Sequence, residues 1–97
     1  MEHLDLPTQT VDLAVASMVA SSFVEPLDAQ GCLELGIMYA AGREVELDRV
    51  EAHKWLNIAA SRGCREAIAL RAELAAEMTP TEIAAAQRGA RLWLSVH

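Results

Sequence analysis

Apolar positions along this chain recur with the 3.6-residue period of helices, and residues that stop or start helices divide them into five segments. Thr10 serves as a plausible N-cap for a first helix running through Phe23. Val11, Ala14, Val15, Met18 and Ser22 form its apolar-to-small stripe, and Pro26 stops it. Asp28 caps a second helix, which Gly42 ends in the left-handed region. Asp48 opens a third, with Glu51 at the third helical position as in a capping box, and Arg62-Gly63 closes it. A fourth is expected from about Cys64 to Met78. The best-marked boundary is Thr79-Pro80-Thr81-Glu82, a hydroxyl N-cap followed by proline at N1 and glutamate at N3. It starts a fifth helix that continues to about Ser95. The connections are short, so neighbouring helices are expected to pack antiparallel.

Self-comparison suggests how these helices are arranged. Ala29 and Trp55 lie 26 residues apart, as do Ala67 and Trp93, and the two pairs are offset by 38 residues. At the same offset Ala52 falls on Ala90, Leu56 on Leu94 and His53 on Arg91. In the other direction Asp48 falls on Thr10 and Ala52 on Ala14. A fixed period of this size, built from helix pairs, marks an α-solenoid. The expected domain is a single unit over 1–97. It comprises an N-terminal packing helix over 9–25, a full repeat over 28–63 and a degenerate C-terminal repeat over 64–95.

The residues of the full repeat follow a recognisable pattern. It reads Ala29-x5-Leu35-Gly36-x2-Tyr39-x2-Gly42-x2-Val45-x2-Asp48-x3-Ala52-x2-Trp55-x3-Ala59-Ala60-x2-Gly63. This resembles the Sel-like repeat, a relative of the tetratricopeptide repeat, closely over 29–63 and loosely over 64–94. Val50–Leu56 is similar to a stretch of short bacterial members. The resemblance implies an all-α, five-helix αα-superhelix of about two repeats plus an N-terminal helix. It also implies a scaffold that binds other proteins and is not an enzyme. Leu35, Gly36, Tyr39, Gly42, Asp48, Ala52, Trp55, Ala59, Gly63 and Trp93 are then structural. Gly36 should let the facing helix approach closely, and Leu35, Tyr39 and Trp55 should fill the space between the helices of a pair.

Composition narrows the function classes. Hydrophobic residues make up 53% of the 97-residue chain and aromatics 4%, which favours helix and excludes intrinsic disorder. No apolar run approaches the length of a membrane span, so the expected setting is soluble and cytoplasmic. Residues 1–48 carry nine acids and one base, a net of −8, while residues 49–97 carry five acids and seven bases, a net of +2. An acidic balance of −6 argues against nucleic acid as a partner, because phosphate binding needs clustered Lys and Arg.

Candidate chemistry is sparse. Cys32 sits where secreted, disulfide-bridged relatives carry a cysteine, but Val24 stands in the usual partner position. Two cysteines outside that pattern point to a reducing compartment. Cys32 is expected to be a small core residue. Cys64, between Arg62 and Arg65 at a helix start, has the setting of a reactive thiol but no histidine beside it in sequence. His3, His53 and His97 lack the paired spacing of metal ligands, and His53 is expected on a helix surface. No phosphate loop or nucleophile elbow is present, and no cofactor is expected. Glu73 and Glu77 lie one turn apart with nothing in the sequence to mark a cleft.

The second helix is anomalous because it is apolar nearly all round, with Gln30 and Glu34 as its only polar side chains from Ala29 to Ala41. Such a helix should be buried nearly all round. Either the first helix covers it, or it lines a groove for a partner helix or a second copy of this chain. The expected groove residues are Gln30, Leu33, Ile37 and Ala40, with Arg71, Ala75 and Met78 brought to the same height by the 38-residue offset. The expected partner is another protein, with a homodimer as a further possibility.

Overall fold

The computed structural model describes residues 28–97. Among them the chain is all-α, with helices α1 (Ala29–Ala41), α2 (Arg49–Ser61), α3 (Arg65–Ala75) and α4 (Pro80–Val96) and no strand. The expected helix over 9–25, and any cover it provides for the groove, lies outside the described residues.

The helix ends sit close to where the sequence puts them, with local chemistry that explains each. The Asp28 carboxylate accepts the Gly31 amide at 2.8 Å, satisfying one free donor of the first turn. Gly42 ends α1 at φ +67°, and a Cβ there would crowd Leu47 Cβ at 3.2 Å. At Thr79 the capping box is complete. Its hydroxyl accepts the Glu82 amide at 3.1 Å, and Glu82 Oε1 accepts the Thr79 amide at 2.9 Å. At Asp48 only half of the expected box forms. Asp48 accepts the Glu51 amide at 3.1 Å, but the Glu51 carboxylate turns to Trp55 Nε1 at 3.2 Å and Lys54 Nζ at 3.3 Å. The Asp48 amide already donates to the Tyr39 carbonyl at 3.1 Å, which leaves the Glu51 carboxylate free for the indole and the ammonium.

The fourth expected helix is shorter than its sequence pattern, ending at Ala75 and not Met78. The amides of Glu77 and Met78 bond back three residues, to the carbonyls of Leu74 and Ala75, which tightens the last turn. Pro80 then holds Thr79 in extended backbone, so the helix cannot run on.

α2 is the centre of the packing, with α1, α3 and α4 all lying against it. Its sequence explains this role, because buried positions point in several directions: Ala52, His53, Trp55, Leu56, Ile58 and Ala59. The core they share includes Cys32 and Leu33 from α1, Ala67 from α3 and Ala90 from α4. Each large aliphatic side chain buried there contributes about 1.5–3 kcal/mol. Gly36 meets its expectation, since a Cβ on it would lie 2.7 Å from Leu56 Cδ2 and 3.3 Å from the Ala52 carbonyl. One expectation fails. α3 and α4 do not pack as an antiparallel hairpin, and each leans on α2 instead. α4 carries buried Ala86 and Ala90 and packs chiefly on α2, where the ring of Trp93 meets Trp55.

Candidate functional site

Between α1 and α3 the surface opens into a cleft of about 300 Å³. Ile37, Ala40 and Ala41 form one wall, Leu70 and Leu74 the other, and the buried Leu56 lies between them. The close approach at Gly36 sets Leu56 deep, and the short side chains of Ala40 and Ala41 leave the space above it unfilled. Glu73 and Glu77 complete the lining on the α3 side. A second depression of about 420 Å³ shares Ile37 and is lined further by Glu34, Met38, Arg43 and Glu44. The whole surface thus has an aliphatic base and four carboxylates against one lining cation. Glu77 also lies 3.5 Å from Arg49 Nε, an exposed pair of the kind that contributes at most about 1 kcal/mol.

Of the expected groove residues, Ile37 and Ala40 line this cleft. The others are placed elsewhere. Leu33 is buried in the core, and Met78 is buried outside the cleft lining. Gln30 is exposed, with its amide 3.4 Å from the Glu34 carboxylate. Arg71 donates to Asn57 Oδ1 on α2, and Ala75 lies half-buried off the lining. The correction has a simple cause. The 38-residue offset gave the right height on α3 but the wrong flank, since Leu70, Leu74 and Glu77 each precede an expected residue by one. One residue is about 100° of helix rotation. Glu73 and Glu77 also prove to border a cleft that the sequence did not mark.

His53 departs from expectation as well. It is 3% exposed, not on the surface, and its Nδ1 has no hydrogen-bond partner among the described residues. Burial, with Arg71 nearby as a second cause, holds its pKa below the ordinary imidazole value. Cys32 is fully buried as expected, and burial pushes its thiol up to about 11. Cys64 forms the N-cap of α3 without a side-chain cap bond and is half-buried beside the core. Both cysteines are free thiols.

Trp93 is half-buried against Trp55, and the His97 ring stacks on it with centroids 4.1 Å apart. Among the described residues no three of His, Cys, Asp and Glu are grouped to hold a metal ion. Nor is any described helix long and apolar enough to cross a membrane. Comparison with known proteins found no matching family model, no matching curated protein and no matching solved structure.

Proposed function

We propose that this chain is a non-enzymatic protein-docking module, a small adaptor or scaffold whose α1–α3 cleft takes the apolar face of a helix from a protein partner. The observation that carries the reading is the cleft itself, with aliphatic walls mounted on two helices and both walls anchored to a third. Amphipathic helices bind in such grooves through one or two side chains per turn. At about 300 Å³ the cleft accommodates a few aliphatic side chains and lies at the small end of ligand pockets.

The architecture we infer is a Sel-like αα-superhelix of the short bacterial kind, with five helices once residues 9–25 are included. The Gly36–Leu56 approach and the left-handed Gly42 and Gly63 support it. A cytoplasmic location accords with two unbridged thiols, one of them sealed in the core.

The test is affinity capture from lysate with wild-type protein and Ile37→Glu as baits. Ile37 is half-buried, packing against the core on one side and lining the cleft on the other, so a carboxylate there faces the cleft and repels an apolar partner. The expected result is loss of captured proteins with an unchanged helical circular dichroism signal. Equal capture by both baits would refute the reading.

A second reading, a purely structural homodimeric assembly domain, is favoured by the outer face of α4. Leu92 and Val96 stand largely in water there.

A further inference from the structure

Leu92 and Val96 are 70% and 73% exposed, the most exposed large apolar side chains among the described residues. They lie one turn apart on α4, and Arg88 lies one turn before Leu92, so the three share a face. Arg91 is exposed beside them. α4 therefore shows water a short basic and apolar helix surface that no packing within the described chain requires.

The cleft between α1 and α3 is its chemical counterpart. It has aliphatic walls, and Glu73 and Glu77 border it. The adjoining depression adds Glu34 and Glu44. An occupant of this cleft needs aliphatic side chains for the walls and cations for the carboxylates. Residues 1–27 supply the wrong sign, with four acids (Glu2, Asp5, Asp12 and Glu25) and no lysine or arginine. An acidic segment offers these carboxylates no charge complementarity.

We propose that the α4 face of a second copy of this chain docks in the cleft, with Leu92 and Val96 against Ile37, Leu70 and Leu74 and with Arg88 towards Glu73 and Glu77. The proposal rests on the docking reading of the cleft and names its occupant. Burial of the two aliphatic side chains supplies affinity, and the charges set direction. The contact joins unlike surfaces, so it is head-to-tail. It closes when each chain fills the other's cleft and otherwise extends into longer assemblies.

Light scattering of the full chain over a range of micromolar concentrations tests this. The wild type should exceed the 10.5 kDa chain mass and grow with concentration. Ile37→Glu, which spoils the cleft, and Leu92→Glu, which spoils the docking helix, should each scatter as monomers with unchanged helical signal. Leu92 is exposed enough that this change leaves folding intact. Mixing the two variants is decisive, because the good α4 of one meets the good cleft of the other. The mixture should regain a two-chain complex at least tenfold tighter than either variant's self-association.

A monomeric wild type, or a mixture that stays monomeric, would overturn the proposal. A symmetric α4-to-α4 or cleft-to-cleft contact also fails the mixing test. A synthetic amphipathic Lys/Leu helix titrated against wild type and Ile37→Glu separates this failure from that of the docking reading. Binding to a monomeric wild type alone leaves the cleft a docking site for a basic helix of another protein and overturns the second copy. Binding to neither overturns both.

Discussion

The indole rings of Trp55 and Trp93 meet edge to face, with centroids 5.3 Å apart and planes inclined at 72°. They are the positions related by the 38-residue offset in the sequence, and in the structure they pack directly on each other. Trp55 Nε1 donates to Glu51 at 3.2 Å, and Lys54 Nζ lies 4.7 Å from the Trp55 ring centroid. The cluster ties α4 to α2 through one buried and one half-buried ring.

Trp55→Ala should therefore cost about 3–5 kcal/mol, enough to unfold much of a domain of this size at 37 °C. In a double-mutant cycle with Trp93→Ala the two changes should be non-additive by about 0.5–1.5 kcal/mol, the usual worth of an aromatic pair beyond its burial. Urea unfolding of the four proteins gives both numbers. Strict additivity would show that the ring contact carries no energy of its own.

Gly36→Ala improves intrinsic helix propensity by about 1 kcal/mol, yet it should lower stability. The new methyl would meet Leu56 Cγ at 2.8 Å, so the buried Leu56 must shift from its packed position towards the cleft. A net loss of about 1–2 kcal/mol is expected from overpacking. A thermal melt at or above the wild-type midpoint would contradict the close α1–α2 approach.

His53 makes stability depend on pH. Its folded pKa lies below the ordinary 6.5, so as pH falls through that value the unfolded chain takes up a proton while the folded chain does not. Stability should decline as pH drops below about 6.5 and level off once pH passes the lower folded value. His53→Leu should flatten that decline. Denaturant titrations between pH 8 and 5 read the slope, and an identical slope in the variant would remove His53 as its source.

The thiols should separate cleanly. With its pKa pushed up to about 11 and no exposed surface, Cys32 should resist a disulfide reagent until the domain opens. Cys64, half-exposed, should react in the native protein. One fast thiol per chain at neutral pH, and two in denaturant, is the expected count.

Much of the fold was legible in the sequence because helix ends are written locally. Asp28, Gly42, Asp48, Gly63 and Thr79–Glu82 each act within a turn of themselves, and the structure places helix ends at all of them. The close approach at Gly36 was legible for the same kind of reason, since a bare Cα needs an explanation nearby. The cleft was only half legible. Ile37 and Ala40 followed from an over-apolar helix, but the flank of α3 facing them depends on the relative rotation of two helices. Periodicity within either helix says nothing of that rotation. Burial of His53 was hidden likewise, because α2 is covered from three sides and an imidazole fits an amphipathic pattern anywhere.

The dependence of both α3 and α4 on α2 has a consequence for how the domain opens. Either outer helix can detach while the other keeps its packing on α2, because the two make almost no contact with each other. Unfolding of α2, by contrast, removes the support of every described helix at once. Amide hydrogen exchange should then rank in tiers, with α2 exchanging only through global unfolding and α3 and α4 through separate, cheaper openings. Fluctuations of α3 would widen or shut the cleft without disturbing the tryptophan contact that holds α4. The two halves of the surface could thus breathe on independent clocks.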